Sequence, residues 1–70
     1  MVWIFKTTVT KSQDIRQVKS SLDEVLLPEA VWNFDLEDCD NILRIEAETL
    51  NPQNIEQLLS EAGYECVELD

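Results

Sequence analysis

The apolar residues of this chain recur with two different periods, and the order of those periods constrains the fold more than any other feature. Residues 2–9 are rich in β-branched and aromatic types, which is typical of a strand. Both faces of that segment are apolar, so we expect a central strand. Ile15, Val18 and Leu22 then repeat at helical spacing, and Pro28 marks the end of this predicted first helix.

The two ends of the first helix are predicted from local signals. Thr10 and Gln13, three residues later, have the spacing of a capping box at the start. Near the other end, either Val25 or Leu26 completes the apolar stripe. We therefore expect the helix to lie between Thr10 and Pro28.

Two alternating segments follow. Residues 30–36 and 42–48 alternate between apolar and polar types, and the short acidic stretch 37–41 separates them. Two such segments around a polar turn predict a β-hairpin. The residues expected to face the core are Trp32, Phe34, Leu36, Leu43, Ile45 and Ala47.

The second helix has the clearest boundaries. Asn51 is a good N-cap, Pro52 suits the first helical position, and Gly63 suits the position just past the end. Residues 64–69 then form a short last strand. Its inward-facing residues are expected to be Val67 and Leu69.

The predicted order is strand, helix, strand, strand, helix, strand. Right-handed crossovers place both helices on one face of a four-stranded antiparallel sheet. We therefore predict an α+β, ferredoxin-like βαββαβ fold with strand order 4-1-3-2. Residues 1–70 are expected to form a single domain with a thin core, because a chain this short buries only about 60 % of its surface on folding.

Composition argues against several functions. The chain has no histidine, which is the commonest general base and a common metal ligand. It also shows no nucleophile elbow and no glycine-rich phosphate loop, so we expect no enzyme activity and no cofactor. Two cysteines are too few for the disulfide framework of a small secreted domain, which favours a reducing, cytoplasmic location. We read neither a signal peptide nor a membrane span.

The charge is unevenly distributed. Residues 1–22 carry four basic side chains against Asp14, a net charge of +3, whereas residues 23–70 carry Arg44 against fourteen carboxylates, a net charge of −13. The total of −10 disfavours nucleic acid and anionic membranes as partners, because both are bound through cationic surfaces. Such a charge is typical of a surface that keeps the domain soluble. A basic end that binds an acidic partner is the alternative interpretation of this asymmetry.

The segments FKTTVTKSQDIRQVKSSL, WNFDLEDCDNILRIEAE and NPQNIEQLLSEAGYECVEL together resemble the heavy-metal-associated domain of copper chaperones and metal-transporting ATPases. That resemblance covers essentially the whole chain and implies a Met-x-Cys-x-x-Cys metal motif in the first loop. Here Val9 occupies the methionine position, and Lys11 and Asp14 occupy the two cysteine positions. Soft Cu(I) is held by thiolates, so the resemblance implies a domain whose metal site is degenerate.

The remaining cysteines leave a metal alternative open. Cys39 and Cys66 are both predicted at the end of the sheet that carries the first loop, but on opposite edge strands. Three strand spacings put them on the order of 14 Å apart, too far for a shared ion or a disulfide. The alternative function is therefore a residual copper or zinc carrier that uses Asp14 with Cys39 or Cys66, if necessary across a dimer.

Our preferred prediction is a non-catalytic protein-interaction module. In the family, the first loop and first helix dock partners, so the resemblance implies a docking surface at Lys11, Arg16 and Lys19 with Tyr64 beside it. The expected partner is a protein with exposed carboxylates.

A second surface is predicted on the sheet face that the helices leave open. One pair of β1 side chains points outward there, either Val2 and Ile4 or Trp3 and Phe5. Val31 and Ile42 are expected beside it. Such an apolar patch on an acidic domain is typical of a contact site. The chain is expected to be a monomer or a weak homodimer through this face.

Overall fold

The computed structural model describes residues 1–37 and 40–69. Helices and strands follow one another in these residues in the order that the apolar periods predict. The elements are β1 (Val2–Thr7), α1 (Ser12–Leu26), β2 (Val31–Asp35), β3 (Ile42–Glu46), α2 (Pro52–Glu61) and β4 (Cys66–Leu69).

The four strands form one antiparallel sheet in the order β2-β3-β1-β4, with β1 between β3 and β4. This is the predicted 4-1-3-2 order, so the α+β, ferredoxin-like prediction is confirmed, as is the central position of β1. Both helices cover the same face, where their apolar stripes meet the inward side chains of the strands. In the part of the chain that is described, no helix has the length and apolarity that crossing a membrane requires.

The core lies between the helices and the inner face of the sheet. Phe5 points inward from β1 and is fully buried, with Trp3 packed beside it, so Val2 and Ile4 are the outward pair. At the end of α1, Leu26 is buried and Val25 is exposed. The largest fully buried side chains are Phe5, Leu22, Leu43, Ile45, Ile55, Leu59, Val9 and Val18.

Helix α2 has the predicted ends. The side-chain oxygen of Asn51 accepts a hydrogen bond from the backbone N–H two residues later, at 3.1 Å. At the other end Gly63 has φ +96°, its N–H donates to the Ser60 carbonyl, and the Tyr64 N–H donates to the Leu59 carbonyl. This pair of bonds is a Schellman motif, which needs a residue at positive φ just past the helix.

The predicted start of α1 is wrong by one residue. The helix begins at Ser12 with Lys11, not Thr10, as its N-cap. Gln13 plays no capping part in the observed geometry. Instead the carboxylate of Asp14 accepts a hydrogen bond from the Lys11 N–H at 3.2 Å. An aspartate at the third helical position is favoured because its carboxylate accepts hydrogen bonds from N–H groups that lack a partner within the helix. Its negative charge also interacts favourably with the positive end of the helix dipole.

The predicted orientation of β4 is also wrong. Antiparallel pairing sets Val67 opposite Lys6 and Leu69 opposite Ile4, on the open face. Cys66 therefore points toward the helices. Val67 and Leu69 do share one face of β4, but the register with β1 turns that face outward and places Cys66 and Glu68 on the helix side.

Asp38 and Cys39 come between β2 and β3 in the sequence and lie outside the described residues. Predictions that involve Cys39 therefore stay predictions. The two strands pair in register from Val31 opposite Glu46 to Asp35 opposite Ile42.

Candidate functional site

Three chain segments meet at one end of the sheet, and we call this region the loop pole. It comprises the β1–α1 loop (8–11), Asn41 at the end of the hairpin turn, and the α2–β4 turn (62–65). The hydroxyl of Thr7 donates to the Asn41 carbonyl at 2.7 Å. Thr8 and Glu65 exchange two bonds, from the Thr8 N–H to the Glu65 carbonyl and from the Glu65 N–H to the Thr8 hydroxyl. The three segments are thus tied together.

Val9 attaches the β1–α1 loop to the core. Its side chain is fully buried in the core, and its N–H donates to the Thr7 hydroxyl at 3.2 Å. Val9 is therefore a core side chain of this domain. That burial holds the following loop residues against the sheet.

Asp14, in the first turn of α1, is hydrogen-bonded to two segments of the loop pole. Its Oδ2 accepts hydrogen bonds from the N–H groups of Thr10 and Lys11, and its Oδ1 accepts one from the Tyr64 hydroxyl at 3.0 Å. Desolvation raises the pKa of Asp14, but the hydrogen bonds from Tyr64, Thr10 and Lys11 together outweigh it and lower the pKa below the usual 3.8. Asp14 is thus a helix cap and a tie to the α2–β4 turn.

Tyr64 is the only predicted partner-binding residue outside the first loop and helix. It is half-buried, and its hydroxyl is directed to Asp14. Desolvation and the neighbouring Asp14 carboxylate both raise the pKa of Tyr64 above its usual value of 10.0. The hydroxyl is therefore engaged within the domain.

The three predicted docking cations differ in their surroundings. Lys11 and Arg16 are exposed, and within the described residues no ion pair involves either. Lys19 differs, because its Nζ lies 2.7 Å from Asp23 Oδ2. The other oxygen of Asp23 accepts a bond of 2.8 Å from Trp32 Nε1, and the bonds from Lys19 and Trp32 lower the pKa of Asp23.

Cys66 is half-buried at the start of β4, and its thiol is free. Desolvation, with a smaller contribution from Glu56, raises the pKa of this thiol to about 12. A neutral thiol is a poor metal ligand, because the thiolate is the binding form. Among the described residues, no group of three or more cysteine, aspartate and glutamate side chains is placed to hold a metal ion.

Sequence reasoning missed the Lys19–Asp23 ion pair on α1 and the hydrogen bonds that hold the loop pole together. The Lys19–Asp23 pair has the i,i+4 spacing at which opposite charges meet on a helix, so it could have been predicted from the sequence. The Asp14–Tyr64 bond and the Thr8–Glu65 clamp join residues far apart in the chain, so no local pattern signals them.

Comparison with known proteins adds no relative, since no family model, no curated protein and no solved structure matches this chain. The heavy-metal-associated resemblance therefore depends on the sequence segments quoted above.

Proposed function

We propose that this chain is a non-catalytic protein-interaction module of heavy-metal-associated type, whose loop pole docks onto an acidic surface of another protein. The observation that carries the proposal is the contrast between Asp14 and Lys11. Asp14 is occupied by hydrogen bonds within the domain, whereas Lys11 is exposed and has no ion-pair partner in the described part of the chain.

The chemistry at the family's two ligand positions supports docking rather than metal transfer. A cation approaching Asp14 would compete with the donors Thr10, Lys11 and Tyr64 for the carboxylate oxygens. The Lys11 ammonium would repel that cation, and a single carboxylate is a hard ligand that suits neither Cu(I) nor a thiolate-type zinc site. For a protein carboxylate, the same ammonium is an attractive contact.

The charge distribution gives such docking an orientation. The chain has a net charge of −10, so an acidic partner is repelled by most of its surface and attracted only where cations are concentrated. Lys11 precedes α1 and Arg16 lies in its second turn, and both are exposed without an ion-pair partner among the described residues. Complementary charge of this kind mainly sets the association rate and the orientation of the complex.

The experiment uses poly-L-glutamate as a model acidic probe and amide NMR shifts at low salt as the readout. We expect shifts confined to the loop pole and the first turns of α1, decreasing as salt is added. K11E and R16E should each weaken the shifts, and the triple variant K11E/R16E/K19E should abolish them. K19E alone should have less effect, because Asp23 already neutralises Lys19.

The matched control is R44E, which makes the same change in charge at an exposed position of β3 on the sheet face opposite the helices. It should leave the loop-pole shifts close to those of the unmodified protein. Equal losses in R44E, K11E and R16E would show only a general charge effect and would contradict a docking site.

The competing proposal is the residual copper or zinc carrier that uses Asp14 with Cys39 or Cys66. A titration of the reduced protein with Cu(I) or Zn(II), in the presence of a competing chelator, separates the two. Stoichiometric shifts at Asp14 and Tyr64 would favour the carrier. We further infer a reducing, cytoplasmic setting, which the small number of cysteines and the free thiol of Cys66 support.

A further inference from the structure

The sheet face opposite the helices, which we call the open face, carries exposed apolar side chains among charged ones. Val31, Val67 and Val2 on this face keep 64 %, 59 % and 51 % of their surface exposed. Ile4 pairs with Leu69, and Val2 and Val67 lie two residues from these on the same strands, so the four side chains form one apolar patch, while Val31 is separated from Val2 by Glu46. The apolar members of the open face are Val2, Ile4, Val31, Ile42, Val67 and Leu69, of which Ile42 is buried.

The charged residues of the open face balance one another. On the strands Lys6 and Arg44 are matched by Asp35 and Glu46, and Lys6 also pairs with Asp40 at 3.7 Å, although the chain as a whole has a net charge of −10. Two copies of so acidic a domain repel each other over most orientations. An approach through the neutral open face avoids that repulsion, which favours a second copy of the chain as the occupant.

The register of β1 and β3 shows how two copies fit. Arg44 and Glu46 are two residues apart on β3, so their side chains lie on the same face. Opposite them on β1 are Ile4 and Val2, respectively. Consider a two-fold axis that lies between the two sheets, at right angles to β3 and midway between Arg44 and Glu46. It places Arg44 of each copy opposite Glu46 of the other copy. The same rotation sets Ile4 against Val2.

We propose that the open face is a self-complementary interface that forms a weak two-fold dimer, with reciprocal Arg44–Glu46 ion pairs beside an apolar contact of Ile4 and Val2. Two-fold interfaces of this kind require every contact to occur twice, as it does here. The rotation reverses the strand direction, so the loop poles of the two copies lie at opposite ends of the dimer. The proposal does not depend on the docking function, which uses the other side of the domain.

The size of the face sets the expected strength. The domain measures 27 × 25 × 18 Å, so its broad face covers on the order of 500 Å², compared with about 800 Å² per partner in a standard interface. Association should therefore be weak and depend on concentration, with half-dimerisation in the micromolar to millimolar range.

The test is a charge exchange followed by sedimentation equilibrium over a range of concentrations. R44E and E46R should each self-associate at least tenfold more weakly than the unmodified protein. An equimolar mixture of the two variants should associate again, because each now supplies the charge that the other lacks. The double variant R44E/E46R should also recover self-association.

These outcomes distinguish the ion pairs from a general charge effect. A general effect would make E46R associate more strongly than the unmodified protein, since it lowers the net negative charge, whereas the paired geometry makes it weaker. Circular dichroism of each variant verifies folding. R16E, on the helix side, should leave association unchanged while reducing docking at the loop pole, so that failure of one proposal is separable from failure of the other. A monomer at millimolar concentration, or a mixture that stays monomeric, overturns the dimer.

Discussion

The hydroxyl of Tyr64 donates a hydrogen bond of 3.0 Å to Oδ1 of Asp14, and so joins two residues that lie 50 positions apart in the chain. The bond connects the first turn of α1 to the turn that follows α2. Since the other oxygen of Asp14 caps α1, a single carboxylate holds two segments of the loop pole. The position that the family resemblance assigns to a metal ligand is thereby given a structural role.

The first prediction concerns this bond. D14A should lower the melting temperature by several degrees, because it leaves helix N–H groups and the Tyr64 hydroxyl without their acceptor. Y64F should lower it less, since it removes only the hydroxyl. In a double-mutant cycle measured by thermal unfolding, D14A/Y64F should be less destabilising than the two single changes added together. Additive effects would show that the bond contributes nothing of its own.

Stability should depend on pH through Asp14 and Asp23. Both groups have a pKa below the usual 3.8 in the folded domain. A lowered folded-state pKa contributes stability that is present above about pH 4 and lost as the pH falls through the folded-state value. Urea unfolding between neutral and about pH 3 should therefore show a smaller loss of stability in D14N/D23N than in the unmodified protein.

The comparison between the two proteins matters more than either curve alone. Protonating the other carboxylates relieves repulsion in a chain of net charge −10 and acts in the opposite direction. That relief is common to both proteins and cancels in the difference. Parallel curves would contradict a contribution from these two groups.

The turn after α2 should be sensitive to its glycine. Gly63 has φ +96°, and a Cβ at this position would meet no atom within 4 Å, so backbone strain is the only penalty for a side chain. G63A should destabilise the domain by about 1 kcal/mol, which corresponds to roughly 4–8 °C in melting temperature for a domain of this size. G63N should be milder, since asparagine tolerates positive φ better. Equal stability of all three proteins would rule out the strained turn.

Burial of the first loop can be tested at Val9. This side chain is fully buried, whereas Val67 on the open face is 59 % exposed. V9A should cost about 2 kcal/mol, from two lost methyl groups and the cavity they leave. V67A is the matched control and should stay within about 0.5 kcal/mol. Chemical denaturation of dilute protein measures both, and similar losses at the two positions would contradict the anchoring role of Val9.

The thiol of Cys66 should be unreactive in the folded domain. Its pKa is raised to about 12, so very little thiolate is present at mildly alkaline pH. In a C39S background, alkylation at about pH 8 should be at least roughly 100-fold slower in the folded protein than in urea. The raised pKa also means that stability is fully present below the ordinary thiol pKa of 9.0 and is lost as the pH rises toward the folded-state value. Comparable rates in the two states would contradict the burial of this thiol.

Most of the fold was predictable because its signals are local. Asn51 and Gly63 bracket α2 through hydrogen bonds to residues within a few positions of each end, and alternation in β2 and β3 sets which side chains face the core. The candidate site was only partly predictable. The placement of Lys11 and Asp14 at the start of α1 follows from their sequence positions, but the partners of Asp14 do not.

The two errors share a physical reason. The start of α1 depends on which side chain accepts hydrogen bonds from the N–H groups before the helix. Asp14 does so, and not the Thr10–Gln13 capping box that the sequence predicted. The orientation of β4 depended on its pairing with β1, not on its own apolar residues, so Val67 turned outward.

By itself the sequence determined the order of elements, the helix ends marked by Asn51 and Gly63, and the charge asymmetry, because these follow from periods, caps and counts along the chain. Only the tertiary structure decided that Asp14 is bonded to Tyr64, that Val2 and Ile4 face outward, and that Arg44 and Glu46 share the open face with them. Those relationships depend on strand register and on contacts between distant segments. These contacts stabilise the protein only once the sheet is assembled, so no local sequence pattern predicts them.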